Sequence, residues 1–470
     1  MNRGLALLII LSMLLGTAAL PGRPTLPERK YIIMTTSESQ LSPEVMQAIA
    51  RAGGGVLKTI PQGGFALASS RNPAFTDELS SAPGIESVIP NFKTEPAGAS
   101  RYSGIIPYRE AAGRDLTELQ WGNLAVGSTI ANAAGLRGQG VRVAIIDFGL
   151  DRYHPDIAPN LNAELSRSFL EGRDWGIDND TDDFFGHASM IAGIIAAPDD
   201  GFGLTGIAPE AEIVALRACE AFWCDAFAFF AAMYYAVDIQ ADLVNLSAVA
   251  GLSRRAYWDD MGTPDDPSDD VHITANQTEE LVGMFRRAVL YLNNHNVTLI
   301  HAAGNDGTNC DEDKDVIILP GAFQSVASIS GTAPNGYGED RTVDLQTYVS
   351  WSNYGQSCVD FAAPGGGNDA YLRWEDPEHT FCTVAGIYRM CSIFDHVIGP
   401  VTGGWAFGSG TSFSTPFAVG VAALVIGQHG GPMSPQQVLS ILRDNAIDLG
   451  KPGVDDFYGW GHIYAGNLAP

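Results

Sequence analysis

A chain of 470 residues, 46% hydrophobic and with 53 glycines, is long enough for one large α/β domain with accessory segments and too apolar to be disordered. Its 27 basic and 54 acidic residues leave a formal charge of −27, which disfavours nucleic acid as a partner, since counterion release requires basic patches. The same acidity fits plain solubility outside the cell or attraction of divalent cations.

At the N-terminus, Arg3 precedes an apolar run from Leu5 to Leu15 and the small residues Gly16-Thr17-Ala18-Ala19. This pattern predicts a secretory signal peptide over residues 1–19, too short to span a bilayer comfortably. No cysteine follows it and no other run approaches spanning length. The expected product is secreted or periplasmic, without stable membrane insertion after processing.

Residues from about 30 to 89 read as a small separate unit. Lys30–Thr35, Gly64–Ser69 and Ile85–Ile89 are strand-like. Ser42, followed by Pro43, opens a helix of apolar spacing through Ala50, and Asn72–Ser81 reads as a second helix. The alternation predicts a compact α+β module of ferredoxin-like type. Pro90–Thr117, a mixed Gly/Pro/Ala/Arg stretch without periodicity, reads as a linker.

From Gln120 onward short apolar strands alternate with helices: Val141–Ile146, His187–Ala197, Ile213–Leu216, Asp225–Ala236, Leu243–Leu246, Thr278–Asn294, Thr298–His301, Val326–Ile329, Ser412–Gly427 and Ser434–Asn445. Continuous rather than alternating apolar strands predict a mostly parallel sheet with helices on both faces, a doubly wound α/β domain over residues 118–470. Active residues then belong at the carboxyl ends of strands. Ser253–Asp270, acidic and turn-rich, reads as an inserted solvated loop, or else a cation site or a subsite for basic substrates. Asn368–Trp405 reads as a second insertion, a disulfide-pinned flap beside the cleft.

All six cysteines lie beyond residue 200. An even number in an exported chain predicts disulfides, with 15 connectivities in principle. Local pairing gives Cys219–Cys224, Cys310–Cys358 and Cys382–Cys391, and the absence of CxxC weakens a metal reading.

Chemistry concentrates in four places. Gly410-Thr411-Ser412-Phe413-Ser414-Thr415-Pro416 runs into an apolar helix, so Ser412 can present a hydroxyl to a cleft and its N–H to a developing negative charge. A hydroxyl alone is a weak nucleophile and needs a base with an orienting acid. Asp147 ends an apolar strand, His187 opens an apolar helix, and Ala302-Ala303-Gly304-Asn305-Asp306-Gly307 places an amide just past another strand. Taken singly these are a helix cap, a helix-start histidine and turn residues; together, and in this order, they suggest a catalytic set.

These residues, in the chain order Asp, His, Ser, resemble the subtilisin-like serine peptidases from about Gln120 to the C-terminus. The resemblance implies a secreted serine endopeptidase with Asp147, His187 and Ser412 as triad and Asn305 in the oxyanion hole. Ser247, Ala248 and Val249 on one edge and Ala302, Ala303 and Gly304 on the other would bind substrate. The substrate is a protein or peptide, and catalysis needs no cofactor. Residues 20–117 become a propeptide and linker, an intramolecular inhibitor until self-processing inside the linker. His154-Pro155-Asp156 and the loop Pro198–Leu204 are similar to two parts of a stabilising calcium site, with Asp156 and Asp200 as side-chain ligands; a solvent-facing acidic loop is the alternative.

The chain departs from the family pattern in three places. Ala188-Ser189-Met190 follows His187 where Gly-Thr-His is familiar, and Phe417 stands where a histidine usually follows the serine-motif proline. Ser247-Ala248-Val249-Ala250-Gly251 replaces Ser-Leu-Gly-Gly, and the bulk of Val249 predicts a narrower pocket favouring small side chains at P1, the residue before the cut bond. A noncatalytic subtilisin-like binding protein is the rival reading. An esterase is disfavoured, because the Gly-x-Ser-x-Gly elbow and Ser…Asp…His order are absent.

Overall fold

A computed structural model describes residues 27–469, apart from 92, 95–100, 112, 178–185, 221–222, 248–249, 262–266, 268–269, 322, 324 and 368–379. The expected signal peptide, residues 1–19, lies outside the described residues.

The N-terminal module has the order strand Arg29–Thr35, helix Pro43–Arg51, strands Gly54–Ile60 and Phe65–Ser70, helix Phe75–Ser80 and strand Ile85–Pro90. The four strands form one antiparallel sheet in the spatial order second, third, first, fourth, the ferredoxin-like arrangement. Ser42 accepts the Val45 N–H and Pro43 occupies the first turn, so the first helix starts where the sequence predicts. Gly54–Ile60 is absent from the sequence reading because it is an edge strand with few buried side chains.

Period-two alternation gives this sheet two apolar faces. Ile33, Ala66, Ala68 and Val88 pack with Val45, Ile49, Phe75 and Leu79 of the module's own helices. Ile32, Met34, Phe65, Leu67 and Ile89 point the other way, into the core beneath helices Ala226–Asp238 and Ala275–Asn294. Phe65 stacks on Phe230 with ring centroids 5.3 Å apart. Burying a phenylalanine stabilises by about 1.5–3 kcal/mol.

The main body is built on an eight-stranded sheet. Its path runs Thr347–Tyr348, Val326–Ala333, Thr298–Ala302, Leu243–Leu246, Arg142–Asp147, Glu212–Arg217 and Arg167–Ser168, with Phe361–Pro364 also paired to Val326–Ala333. All pairings are parallel except that of Thr347–Tyr348. Helices cover both faces, as the continuous apolar strands predict. Val143 and Ile145 face the core shared with His187–Ala196 and Thr411–His429, whereas Ala144 and Ile146 face the core beneath Ala226–Asp238. Strand order reverses at Arg142–Asp147, and a crevice opens at such a switch point outside the carboxyl ends.

Two sequence readings need correction. The stretch read as a linker is structured: Lys93–Thr94 and Arg101–Pro107 are strands, and Tyr108–Ala111 is a helical turn. The second insertion is not simply a flap. Phe381–Val384 and Ile387–Met390 form a hairpin beside the Cys382–Cys391 disulfide, but Val397–Val401 and Gly404–Ser409 form a buried hairpin with Arg101–Pro107 as its third strand. Pro400 lies so close to Gly193 of the His187 helix that a Cβ there would meet it at 2.3 Å. Apolar residues spaced by two in Val397–Val401 make this a core strand.

Candidate active site

Asp147 is the last residue of its strand and is fully buried. Its Oδ1 accepts the Phe148 N–H at 2.9 Å and lies 2.7 Å from His187 Nδ1, while its Oδ2 is buried without a hydrogen-bond partner among the described residues. His187 is the first residue of its helix, following Gly186 at φ 85°. Its ring stands between Phe148 and Phe413, with centroids 5.7 and 5.6 Å away. With Nδ1 donating to a carboxylate, Nε2 is the nitrogen left to accept a proton.

Ser412 sits in the first turn of Thr411–His429, after Gly410 at φ 154° and ψ 151°, a region that essentially only glycine enters. The helix contains Pro416, which lacks the N–H that would bond the Ser412 carbonyl one turn back. That released carbonyl accepts the Ser247 hydroxyl at 2.7 Å, and Ser412 Oγ in turn donates to the Ser247 carbonyl at 2.9 Å. Asn245 Nδ2 donates to Ser247 Oγ at 2.9 Å and completes the clasp. In this arrangement the Ser412 hydroxyl donates to the Ser247 carbonyl, and its proton must turn away from that carbonyl before His187 can take it.

Asn305 is fixed from the serine side. Its Oδ1 accepts both the N–H and the hydroxyl of Thr411 at 2.8 Å, and the Thr411 hydroxyl accepts the Gly304 N–H at 3.0 Å. With the oxygen committed, Nδ2 is the end of the amide able to donate to an oxyanion. Ala302 and Ala303 are buried, and the Ala303 carbonyl accepts Asn353 Nδ2 at 2.9 Å. Ala248 and Val249 lie outside the described residues. Sequence reasoning missed Thr411 as the residue orienting Asn305, and Pro416 as the source of a free carbonyl. The second was legible, since a proline four residues after Ser412 must break that bond.

Of the family departures, Ser189 accepts the Asp151 N–H at 2.9 Å, and Met190 and Phe417 are buried on their helices. The three local disulfides form as expected. Cys219–Cys224 closes a hairpin whose second strand, Trp223–Asp225, pairs antiparallel with Lys93–Thr94.

The oxygens around Asp156 and Asp200, the residues expected at a calcium site, are partly taken by N–H donors. Asp156 Oδ2 accepts the Trp405 indole N–H at 2.6 Å and the Leu204 N–H at 3.0 Å, and burial pushes this carboxyl up to about 6. The carbonyls of Gly203 and Thr205 accept the Leu116 N–H and the Gln120 and Asn123 amides, and Asp200 Oδ1 takes the Phe202 N–H. Among the described residues no three His, Cys, Asp or Glu side chains are grouped to hold a metal. Calcium takes six to eight oxygens; N–H donors hold one oxygen of each carboxylate, while Asp156 Oδ1 is buried without a hydrogen-bond partner among the described residues. Trp405, edge-on to His154 and Tyr108, is the centre of the cluster.

Comparison with known proteins decides the family: residues 138–461 match the subtilase family. This chain belongs to the subtilase family of serine peptidases. It is 27% identical over 347 residues to the minor extracellular protease Epr of Bacillus subtilis, covering 73% of this chain but 41% of that relative. It is 26% identical to subtilisin BL of Lederbergia lenta, covering 73% of this chain and 96% of that protein. An epidermin leader peptide processing serine protease of Staphylococcus aureus shares the fold with a TM-score of 0.69 at 18% identity, over 94% of this chain and 98% of that one. Within this subtilase the matched span contains Asp147, His187, Asn305 and Ser412.

Proposed function

We propose that the protein is a secreted serine endopeptidase made as a self-processing zymogen. The 2.7 Å contact of His187 Nδ1 with Asp147 Oδ1, beside Ser412 and the Thr411-oriented Asn305, carries this reading. Ser412 Oγ bonds to the peptide carbonyl carbon as His187 Nε2 takes its proton. Asn305 Nδ2 and the Ser412 N–H receive the oxyanion. The C–N bond then breaks, and His187 returns the proton to the leaving amine. Water deprotonated by His187 attacks the acyl-enzyme and releases Ser412. Asp147 stabilises the imidazolium and holds its tautomer.

Two anchors support the zymogen. Upstream, Thr94 pairs with Cys224; downstream, Arg101 pairs with Ser409, three residues before Ser412. Thr94 and Arg101 are thus both anchored in sheets, and we assign the processing bond to the interval between them. The N-terminal module, docked across Ala226–Asp238 and Ala275–Asn294 and followed by Lys93–Thr94 against the Cys219–Cys224 hairpin, acts as an intramolecular inhibitor. The run Leu5–Leu15 supports export.

Mass spectrometry of the expressed chain beside Ser412→Ala tests both parts. The expected result is a mature N-terminus between residues 95 and 101, labelling of Ser412 by a fluorophosphonate, and an uncut Ser412→Ala chain. An unlabelled, uncut wild-type chain would instead favour a noncatalytic binding protein.

A further inference from the structure

A chain that processes itself is its own first substrate, and its pairing marks the edges along which a cut peptide lies. Before the processing interval, Lys93–Thr94 pairs antiparallel with Trp223–Asp225. After it, Arg101–Pro107 pairs antiparallel with Gly404–Ser409, Arg101 opposite Ser409 and Pro107 opposite Gly404. Ser409 lies three residues before Ser412. The chain is thus added as a strand on both sides of its own bond. Residues before the bond, the unprimed side, follow Trp223–Asp225, and residues after it, the primed side, follow Gly404–Ser409.

The two edges differ once the bond is cut. Lys93–Thr94 is a two-residue strand continuous with the module and leaves with it. Arg101–Pro107 continues into Tyr108–Ala111 and is anchored without the module's help. Its partner Gly404–Ser409 pairs with Val397–Val401 on the other side, so both edges of that strand are filled. Ile106 is fully buried in the core shared with the His187 and Ser412 helices. Gly104, at φ 60°, comes so close to its neighbours that a Cβ there would meet Ile393 Cδ1 at 2.7 Å. From outside, Arg389 Nη2 donates to the Ile105 carbonyl at 2.9 Å, and the same guanidinium holds Glu110 through two bonds of 2.8 Å. The Tyr108 N–H closes the end of the strand on the Gly403 carbonyl at 3.2 Å.

We propose that Arg101–Pro107 stays in the processed enzyme as a resident of the primed edge, so that the enzyme recognises peptides through their unprimed side and cuts bonds whose following chain is short or turns away; the proposal rests on the processing reading given above. A substrate that runs on past its cut bond competes with a strand tethered to the same edge, and the tether gives that strand a high effective concentration. The processing interval sets the reach. No more than six residues, 95–100, separate a bond within it from Arg101. A chain that followed the same path would run into the resident strand no later than there.

The test uses the processed enzyme, separated from its module by gel filtration, and two peptides of the chain's own sequence. Both start at Pro90 and cross the bond that mass spectrometry identifies; one ends at Tyr102 and the other at Pro107. Hydrogen exchange reads the strand itself. In the wild type the amides of Tyr102–Ile106 should stay protected, and kcat/KM for the two peptides should agree within about twofold, because no open edge receives the added residues. Ile106→Asp sets a charge at the buried anchor, and Arg389→Ala removes the outer clamp. Both should expose those amides and let the longer peptide gain, by about tenfold in Ile106→Asp and less in Arg389→Ala, the return from a few main-chain bonds on an open edge. Each gain is a ratio within one variant, so partial folding cancels, and Arg389→Ala reports if Ile106→Asp does not fold. A wild-type enzyme that gains about tenfold from Ser103–Pro107, or whose strand amides exchange freely once the module has gone, overturns the proposal. So does a variant with an exposed strand and no gain. A wild-type chain left uncut with Ser412 unlabelled, or cut beyond Pro107, overturns the processing reading instead.

Discussion

The segments on either side of residues 95–100 are held to the same body by different physics. Upstream, the module owns a core of Tyr31, Ile33, Val45, Ile49, Phe75, Leu79 and Val88, and docks through one sheet face with a polar rim. In that rim Arg287 donates to the Thr35 and Gly63 carbonyls, Asn91 donates to Asp225, and Ser87 donates to Glu280. Downstream, Arg101–Pro107 owns no core. It is a strand of the sheet made by Val397–Val401 and Gly404–Ser409, with Ile106 fully buried, and that sheet leads into Ser412. A unit with its own core can separate after one cut, whereas a strand borrowed by a sheet stays. Processing between them would release the module and keep the strand.

The strongest way to break this contrast is Ser412→Ala. Turnover should fall on the order of 10⁶-fold, the loss recorded for the nucleophile of subtilisin itself, the family's namesake, and both segments should stay on one chain by mass spectrometry. A variant still cut within residues 95–100 would show that another protease separates them. Asn305→Ala should come next, losing about 10²–10³ in kcat, a figure that also comes from subtilisin. Processing should slow in proportion, and an unchanged rate would mean that Nδ2 does not meet the oxyanion.

Docking is sharpened by Arg287→Ala. Two charge-assisted bonds to module carbonyls disappear, and the Glu86 pair, on a half-exposed carboxylate, adds less. Inhibition of the processed enzyme by the module should weaken about 10–100-fold, each lost bond to a charged group costing about 1.5–3 kcal/mol less desolvation recovered. An unchanged inhibition constant would put the docking energy in the apolar face alone.

Acid should separate the two regions. All nine histidines lie beyond residue 150, outside the module. Burial lowers His154, His396 and His462 to about 4 and His301 to about 3. The unfolded chain therefore takes up their protons first, and their stabilising effect drains away as pH falls from about 6.5 toward 4. Asp156 and Asp360, raised to about 6 by burial, oppose this, because the folded state binds their protons first. Asp225, Asp242 and Glu280, also raised by burial, oppose it too, so the loss from the imidazoles leads where their titration begins, near pH 6.5. Hydrogen exchange should show protection falling in the parallel sheet over that range while the module's strands keep theirs; equal loss in both would refute it.

The smallest effect expected is at Trp405. Trp405→Phe removes one of the two N–H donors to Asp156 Oδ2, at a cost of about 1–3 kcal/mol, and should lower Tm by a few degrees. A calcium chelator should leave wild-type Tm unchanged. A drop reversed by added calcium would show that a cation, and not the indole, neutralises that carboxylate.

Much of this was legible in the sequence. Asp147, His187, Asn305 and Ser412 could be found because each follows or opens an element whose apolar run is long and uninterrupted. The parallel sheet was legible for the same reason, and the three disulfides because each cysteine pairs with the next one along the chain. Gly54–Ile60 was not, since an edge strand carries little apolar signal. The buried hairpin Val397–Ser409 was hidden by its glycines and proline, which read as loop until the His187 helix is seen packed against them.

By itself, then, the sequence determined the kind of chemistry, because a serine, a histidine and an aspartate at element ends are local features of the chain. Only the tertiary structure decided what Ser412 bonds at rest, what orients Asn305, what holds Asp156 and what fills the edge of Gly404–Ser409. Each of these depends on residues far apart in sequence, such as Ser247 with Ser412, Thr411 with Asn305, Trp405 with Asp156, and Arg101 with Ser409. No spacing rule announces such pairs; they exist because the sheet and its helices close around one crevice.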